Sequence, residues 1–367
     1  MPPDHRTEQL LARACEIGFD PVGVCRAEPA ATFPAFVDWL EETLRDGVCR
    51  GMTWLLRQRD ARRHPAAVLP EVKSLIVAGL SYESVHPEIL SLFHPVGRLS
   101  TRCPNGFGLV AEYARGLDYH DVMRAKLRQL AETHHALFPG AKTRIAVDTA
   151  PLLEREYAVR AGLGQYGKNT MLINDRHGSR FFLGLLLSTA DLQETAAGNA
   201  SDRFNPSLTF RAVVSCDMTH NPPESGSLCG DCRRCIDACP TGAFSIPYRL
   251  DARKCINYWS IEHPGNDIPR EIAVQFGKRL FGCETCQSVC PFNKPGKTSP
   301  SPAPVSPDEL ASRSLREQLE SGMMSLSQIE NLDEREFQHQ FAGTSLVRLG
   351  LPRLQRNAAI VRANAER

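Results

Sequence analysis

The chain has 367 residues, a hydrophobic content of 42% and a formal net charge of +1 at pH 7, which is the composition of an ordinary globular protein. This charge excludes a general attraction to nucleic acid or membrane, so any basic binding face must be local. The longest apolar runs, SLIVAGL and FFLGLLL, are far shorter than the roughly 18 residues that suggest a membrane span. The first residues form no apolar secretory segment, and we expect a soluble, cytoplasmic protein without a membrane partner.

The chain divides into three parts by composition. Residues 1–204 mix helical patterns, such as TEQLLARACEIG and EYARGLDYHDVMRAKLRQLAETHHALF, with the β-rich runs SLIVAGLSY, TRIAVD and SRFFLGLLL, and they predict an α/β or α+β domain. Residues 205–295 are rich in Pro, Gly and Cys and predict a ferredoxin-like module built around its cysteines. Residues 296–367 predict a Pro- and Ser-rich linker followed by a helical C-terminal segment.

Thirteen cysteines are many for a chain in a reducing compartment, where clustered cysteines are more often metal ligands than disulfides. The run CGDCRRCIDACP, from Cys229, fits the CxxCxxCxxxCP pattern of two-cluster ferredoxins, in which three thiolates hold one cluster and the fourth reaches the other. The run CETCQSVCP, from Cys283, is one cysteine short. Cys255, between the two runs, is predicted to supply the missing thiolate.

The crossing rule divides these eight thiolates between two [4Fe-4S] clusters. One cluster is predicted to take Cys229, Cys232, Cys235 and Cys290, and the other Cys239, Cys255, Cys283 and Cys286. The alternative is a pair of structural zinc sites, because CxxC pairs also bind zinc, and such a protein would be colourless. The isolated cysteines are predicted to pack in the core, and they are Cys15, Cys25, Cys49, Cys103 and Cys216.

Two motifs outside the cysteine runs are only weak evidence for cofactor binding. GLGQYG, from Gly162, fits GxGxxG but follows a helical pattern instead of a strand, so we do not predict dinucleotide binding. DYHDVM departs from the DxHxxG signature of corrinoid proteins at Met123. His120 is therefore predicted to be a hydrogen-bonded helix histidine and not a ligand.

Asp148 ends the β-rich run TRIAVD. Thr149 and Pro151 follow, and they are predicted to open a helix. Spacing alone leaves two readings of Asp148 open: a carboxylate that faces a cleft, or an acid that interacts with the dipole of that helix.

Several blocks, taken in order, resemble the epoxyqueuosine reductase family, which acts in the last step of queuosine formation in bacterial tRNA. The blocks are RRHPAAVLPEVKSLIVAGLSY, YARGLDYHDVMRAKL, VDTAPLLERE, AGLGQYGKNTMLIN, GSRFFLGLLL, the two cysteine runs and the tail FAGTSLVRLGLPRLQRNAAIVRANA. The resemblance covers most of the chain. The order of the blocks makes it specific, because the cysteine motif alone is generic.

The resemblance implies reduction of epoxyqueuosine to queuosine in tRNA. Electrons would pass from an external low-potential donor through two clusters to base-off cobalamin, with no protein histidine below the cobalt. Asp148 matches the family's proton donor, Arg62 its cobalamin-contacting arginine, and Lys168 and Asn169 its GKNT segment, which lines the same cavity. The alternatives are an exposed arginine at a charged helix end for Arg62, and a simple turn for Lys168 and Asn169.

The implied macromolecular partner is a tRNA anticodon stem-loop, bound by a monomer. Its candidate phosphate contacts are Arg348, Arg353, Arg356 and the cluster at 57–63, although a solvated helix face explains any one of these arginines. The chain departs from the family pattern at Glu112 and Leu117, which replace basic residues, and at Gln165 and Tyr166, which replace a tryptophan–isoleucine pair. These departures leave open a different substrate.

Three other functions stay open on the sequence. The first is a related corrinoid and iron–sulfur reductase with another substrate, for example a reductive dehalogenase, which generally carries an export signal. The second is an electron-transfer protein that binds clusters but no cobalamin. The third is a zinc-stabilised RNA-binding protein without catalysis.

Overall fold

The computed structural model describes residues 5–82, 103–195, 227–293 and 313–367. Its strands are β1 (Val22–Arg26), β2 (Ser74–Ser81), β3 (Phe107–Val110), β4 (Thr143–Ala146), β5 (Gln165–Tyr166), β6 (Leu172–Ile173), β7 (Phe181–Ser188), β8 (Arg279–Phe281) and β9 (Met323–Ser325). Its helices are α1 (His5–Ile17), α2 (Phe33–Leu44), α3 (Trp54–Arg57), α4 (Tyr119–Leu137), α5 (Glu154–Arg160), α6 (Arg234–Asp237), α7 (Arg270–Gln275), α8 (Thr285–Ser288), α9 (Arg313–Ser321), α10 (Leu326–Asn331), α11 (Glu334–Gln340) and α12 (Leu351–Ala365). Among these described helices, none is long and apolar enough to span a bilayer.

Residue contacts divide the chain into two compact units. Unit 1 comprises Met1–Glu42, Trp54–Ser81 and His120–Asp231, and unit 2 comprises Thr43–Thr53, Tyr82–Tyr119 and Cys232–Arg367. Each unit is therefore assembled from segments that are distant in sequence. The Pro- and Ser-rich linker predicted to start at residue 296 lies outside the described residues.

Unit 1 is built on a four-stranded sheet in the order β1-β2-β7-β4, in which every neighbouring pair is antiparallel. The register pairs Val77 of β2 with Gly23 on one side and with Leu185 on the other. These three residues share one face, because directly opposed residues of an antiparallel ladder point to the same side. An antiparallel sheet with packed helices is an α+β arrangement, which decides between the two predicted forms of the fold class.

Helices cover both faces of this sheet, and a glycine marks the closest approach on each face. A Cβ atom at Gly23 would clash with the backbone carbonyl oxygen of Ala161, which follows α5. A Cβ atom at Gly184, on the opposite face, would lie 2.6 Å from Met123 Cε of α4. Because both faces are buried, β2 and β7 are apolar along their length instead of alternating, as their sequences SLIVAGLS and FFLGLLLS show.

The helix predicted over residues 112–138 is interrupted. Residues 112–114 form a single 3₁₀ turn, and α4 begins at Tyr119. Gly116 lies between them with a φ of 138°, a conformation that no α-helix contains and that favours glycine. The helical pattern therefore predicted α4 correctly but extended it too far toward the N-terminus.

Unit 2 contains a three-stranded sheet in the order β8-β3-β9, with β3 parallel to β8 and antiparallel to β9. Its apolar core joins Val110 of β3, Leu280 of β8 and Leu354 of α12, all fully buried. The C-terminal segment is helical as predicted, and it also supplies β9. Part of the cysteine-rich region thus enters an apolar core, which its Pro, Gly and Cys content did not indicate.

The isolated cysteines differ in burial. Cys25, Cys49 and Cys103 are buried as predicted, whereas Cys216 lies outside the described residues. Cys15 is exposed, so its predicted place in the core is wrong. The buried stripe of α1 includes Leu10, Ala14 and Ile17, and Cys15 lies just outside one edge of this stripe.

Candidate functional site

Asp148 lies in a tight turn after β4. The Thr149 N–H donates to the carbonyl oxygen of Val147 at 2.5 Å, and Asp148 at the centre of this turn has a φ of 54°. Because α5 begins only at Glu154, the prediction that Thr149 and Pro151 open the helix is wrong, and Asp148 is not a helix-terminal acid. A left-handed conformation costs a non-glycine residue about 1–3 kcal/mol and is concentrated at functional sites.

Two further titratable side chains lie against this turn. Oε1 of Glu154 accepts the N–H of Asp148 at 2.7 Å, and Nε2 of His120, on α4, lies 3.3 Å from Oδ2 of Asp148. The Asp148 side chain is 58% exposed, whereas that of His120 is 7% exposed. The turn therefore exposes the Asp148 carboxylate to solvent, while Glu154 binds its backbone and His120 contacts its side chain. His120 is a hydrogen-bonded helix histidine as predicted.

Glu154 was not singled out by the sequence. The protein packed around its carboxyl group and the adjacent Asp148 carboxylate raise its pKa from 4.5 to about 8, against opposing effects of the Asp148 N–H, Arg155 and His120. Glu154 is half-buried as a whole. A carboxyl group with this pKa carries a proton at neutral pH. The only signal in the sequence was a second acid six residues after Asp148.

Arg62 is 3% exposed, so its alternative reading as a surface arginine is wrong. Its guanidinium carbon lies 5.8 Å from the ring centre of Phe36 and 5.5 Å from that of Trp54, which are cation–π distances. Burial lowers the pKa of Arg62, and the nearby carboxylates of Glu154 and Asp148 offset part of this effect. Within unit 1, Arg62 therefore lies close enough to the Asp148 turn to interact electrostatically with Asp148 and Glu154.

Lys168 and Asn169 occupy the turn of the hairpin that joins β5 to β6. Oδ1 of Asn169 accepts the N–H of Met171 at 3.3 Å, so the turn reading is correct at the level of the backbone. Nζ of Lys168 lies 2.5 Å from the carbonyl oxygen of Gly230. The cofactor contact of both residues stays a prediction.

The same hairpin holds the segment at 227–231. Besides the Lys168 contact with Gly230, Oε1 of Gln165 accepts the N–H of Leu228 at 3.3 Å. Both bonds flank Cys229, a predicted cluster ligand, and all these residues belong to unit 1. Gln165, one of the departures from the family pattern, therefore has a structural contact beside the first cysteine run.

The other departures also have structural contacts. In unit 2, Glu112 is buried, and its N–H donates to Oε1 of Glu284 at 3.0 Å. Leu117 forms an antiparallel bridge with Thr344. Tyr166 is part of β5 in unit 1. None of these observations requires a different substrate.

The parts of the two cysteine runs that belong to unit 2 fold alike. The one-turn helices α6 and α8 pack against each other. The residues before them, Arg233 and Glu284, have φ angles of −123° and −126°. The last cysteine of each run donates its N–H to the carbonyl oxygen three residues earlier. The structural counterparts are Cys232 and Cys283, Cys235 and Cys286, and Cys239 and Cys290.

Unit 2 gathers the cysteines predicted for the second cluster. Cys283 and Cys239 act electrostatically on Cys255, and four thiols act on Cys286, those of Cys283, Cys255, Cys239 and Cys235. Burial, followed by the charge of Cys283, raises the pKa of Cys255 to about 12, so its thiolate needs a compensating cation. Cys235, which the crossing rule assigns to the first cluster, belongs to the same group, so the division of the cysteines between the two clusters stays a prediction.

Hydrogen bonds to sulfur fit a thiolate-bound cluster. The N–H of Ala243 donates to Sγ of Cys239 at 3.3 Å, and backbone donors at Tyr258 and Asn257 lower the pKa of Cys255. Such donors stabilise negative charge on cluster sulfur. In the described part of the chain, no three His, Cys, Asp or Glu side chains meet closely enough to share one metal ion, whereas a cubane binds each thiolate at a separate iron.

The ligand set of the first cluster stays a prediction. Its four cysteines fall in different units, because the boundary between the units follows Asp231. Unit 1 contains Cys229, and unit 2 contains Cys232, Cys235 and Cys290.

Two arginines that were predicted to contact tRNA bind carbonyl oxygens of their own unit. Arg353 donates to the carbonyl oxygen of Ile261 at 2.7 Å. Arg356 donates over 2.5–2.8 Å to three carbonyl oxygens, those of Trp259, His263 and Gly265. Burial lowers the pKa of Arg356 to about 10. The structure thus gives Arg353 and Arg356 a structural role, while Arg348 keeps 46% of its side chain exposed.

Two segments of the chain match models of known protein families. Residues 228–293 match the family model of a 4Fe-4S double cluster binding domain, and residues 62–149 match the model described as Epoxyqueuosine reductase QueG, DUF1730. With two equivalent cysteine runs and a carboxylate presented by a separate α+β unit, the protein is an oxidoreductase that carries two [4Fe-4S] clusters.

Similarity to individual proteins extends over almost the whole chain. The epoxyqueuosine reductase of Xanthomonas campestris pv. campestris is 32% identical over 99% of this chain and 88% of that protein. The enzyme of Alicycliphilus denitrificans is 33% identical over 98% and 89%. The chain therefore belongs to the epoxyqueuosine reductase family.

Solved structures of epoxyqueuosine reductases share the fold. A complex with a tRNA-Tyr epoxyqueuosine-modified stem loop has a TM-score of 0.72 and 27% identity, over 98% of this chain and 81% of that chain. A structure from Bacillus subtilis, with its catalytic aspartate loop swung out of the active site, has a TM-score of 0.71 and 26% identity, over 98% and 82%.

Proposed function

We propose that this protein reduces epoxyqueuosine to queuosine in tRNA, and that Asp148 delivers a proton to the departing oxygen. The observation that carries this proposal is the turn at Asp148, which exposes a carboxylate at a conformational cost and surrounds it with His120, Glu154 and Arg62. The tRNA stem loop bound by a solved relative and the catalytic aspartate loop of the Bacillus subtilis relative support it. Cytoplasmic tRNA is the substrate pool that this reaction implies.

The chemistry divides between the two units. Removal of an epoxide oxygen as water leaves an alkene and consumes two electrons and two protons. The clusters conduct the electrons from a low-potential donor outside the chain. Asp148 transfers a proton to the oxygen as its bond to carbon breaks, which is general acid catalysis.

Base-off cobalamin is the implied second cofactor, and Arg62, Lys168 and Asn169 are the residues that would hold it. When bound, it supplies a strongly reducing cobalt centre. One observation tests the fit: Nε2 of His120 lies against Oδ2 of Asp148, so this histidine is turned to the carboxylate, in agreement with a cobalamin that takes no histidine ligand. The buried guanidinium of Arg62, beside two carboxylates, is a fixed donor for polar groups at the edge of such a cofactor.

The proposal is tested with anaerobically reconstituted protein containing iron, sulfide and cobalamin. After addition of a strong reductant, mass spectrometry of epoxyqueuosine-containing tRNA should show loss of one oxygen. The variant Asp148→Asn should abolish this loss while iron content and cobalamin absorbance stay unchanged. Glu16→Gln, an exposed charge removal on α1, is the matched control. Cobalamin binding without any mass change would refute the tRNA substrate, and turnover by Asp148→Asn would refute the proton donor.

A further inference from the structure

The reaction proposed above consumes two protons, and a single carboxyl group can deliver only one of them at a time. A second carboxyl, that of Glu154, lies at the same turn and accepts the Asp148 N–H at 2.7 Å. It comes from the first residue of α5, so a regular element fixes its backbone while the turn itself is irregular. The geometry therefore places a second carboxyl group, half-buried, against the backbone of the turn that exposes the Asp148 carboxyl group.

We propose that Glu154 is a positioning residue that fixes the Asp148 turn and supplies the second proton of the reaction through Asp148. This inference rests on the proposed function. Its hydrogen bond spans six residues and closes the loop between β4 and α5. The Thr149 N–H bond to the carbonyl oxygen of Val147 closes the turn itself, and the Glu154 bond ties the Asp148 N–H to the start of α5.

The protons and electrons balance as follows. Asp148 gives its proton to the epoxide oxygen as the first carbon–oxygen bond breaks, and it becomes a carboxylate. Glu154 then reprotonates Asp148, which protonates the resulting hydroxyl, so that oxygen leaves as water when the second carbon–oxygen bond breaks. Two electrons from the external donor, conducted by the clusters, complete the carbon–carbon double bond. A departing alkoxide or hydroxide is a stronger base than either carboxylate and draws both protons forward.

The electrostatic surroundings support a stored proton at Glu154. Burial has the largest effect on the pKa of Glu154 and, with the Asp148 carboxylate, disfavours the ionised form, whereas the Asp148 N–H, Arg155 on α5 and His120 on α4 favour it. Arg62 also lies within range of both carboxyl groups. The net result is a pKa raised to about 8, so Glu154 refills with a proton from solvent at neutral pH after each turnover.

The first test needs neither substrate nor turnover. Infrared difference spectra between the reconstituted wild-type protein and Glu154→Gln should contain a carboxylic-acid C=O band at pH 7 that disappears with a midpoint near pH 8. Asp148→Asn lowers this midpoint, because it removes the adjacent negative charge. Absence of the band at pH 7, or a midpoint near the ordinary value of 4.5, overturns the proposal even where tRNA turnover is normal.

The second test is the pH profile of a single turnover on epoxyqueuosine-containing tRNA. Glu154→Gln retains an amide oxygen that accepts the Asp148 N–H but has no acidic proton, and we expect its rate to fall about 100-fold. The wild-type rate should decline above about pH 8, this decline should vanish in Glu154→Gln, and Glu154→Asp should recover part of the rate. A Glu154→Gln enzyme with the wild-type rate and profile shows a merely structural role and refutes the inference.

The two tests separate this inference from the proposed function. If wild-type protein with the infrared band never deoxygenates the tRNA, the substrate assignment fails and the proton at Glu154 stands as a structural result. If the wild type turns over but the band is absent, the second-proton role fails and the reductase assignment stands. Glu16→Gln serves as the charge-removal control in both measurements.

Discussion

The backbone N–H of Asp148 and the carboxyl Oε1 of Glu154 are joined by a hydrogen bond of 2.7 Å. This bond connects the end of a strand to the start of a helix across a turn with a positive φ. It therefore links the conformation of the proposed proton donor to the protonation state of a neighbouring acid. The relationship makes both the chemistry and the stability of unit 1 dependent on pH.

The first prediction concerns stability and pH. The pKa of Glu154 is about 8 in the folded protein and 4.5 ordinarily, so the folded state binds its proton more tightly. The contribution of this bound proton to the free energy of unfolding is complete below pH 4.5 and is lost as the pH rises through about 8. We expect the melting temperature of the wild type, relative to Glu154→Gln, to fall steadily between pH 5.5 and pH 8.5, a range chosen around that pKa. Parallel curves for the two proteins would contradict this expectation.

The second prediction contrasts two glycines of the sheet in unit 1. Gly23→Ala places a Cβ atom against the backbone oxygen of Ala161, which cannot rotate away, and we expect a loss of about 1–3 kcal/mol. Gly184→Ala meets the ends of Met123 and Leu127, which are flexible, and should change the free energy of unfolding by less than about 1 kcal/mol. Urea titrations of both variants measure the difference. Equal losses would mean that the α5 side is not the tighter contact.

The third prediction concerns Arg356. Arg356→Gln removes charged hydrogen bonds to the carbonyl oxygens of Trp259, His263 and Gly265, and we expect it to destabilise the protein by about 2–3 kcal/mol. We expect the salt dependence of tRNA binding to stay unchanged, because the guanidinium is already bonded to carbonyl oxygens of its own unit. Arg57→Gln, at an exposed position, is the matched control and should leave the melting temperature unchanged. A smaller salt slope for Arg356→Gln with unaltered stability would restore Arg356 as a tRNA contact.

The fourth prediction concerns the cluster ligands. Cys255→Ala should lower the iron content of reconstituted protein by about half, because it removes one of four thiolates from one cluster and none from the other. Cys15→Ala, at an exposed cysteine outside both runs, should leave the iron content at the wild-type level. Full iron in Cys255→Ala would refute the ligand assignment. Loss of all iron would show that the two clusters assemble as one unit.

Features that depend on short stretches of chain were predictable. The spacing within CGDCRRCIDACP and CETCQSVCP determines the local turn of each run, and the two runs do fold alike. Strands β2 and β7 were recognisable because continuous apolar runs bounded by turn residues are typical of buried strands. The start of α5 was not, because Thr149 and Pro151 have the usual chemistry of a helix start, yet the positive φ at Asp148 and the turn after it take precedence.

The sequence by itself therefore determined the family, the two cysteine runs and the position of Asp148 at the end of a strand, since each depends on residue types at short, fixed spacing. Only the tertiary structure decided that Arg62 is buried between Phe36 and Trp54. It also decided that Arg356 binds carbonyl oxygens and that burial and the Asp148 carboxylate raise the pKa of Glu154. The physical reason is that burial and electrostatic environment are sums over neighbours from distant parts of the chain, and local spacing does not specify those neighbours.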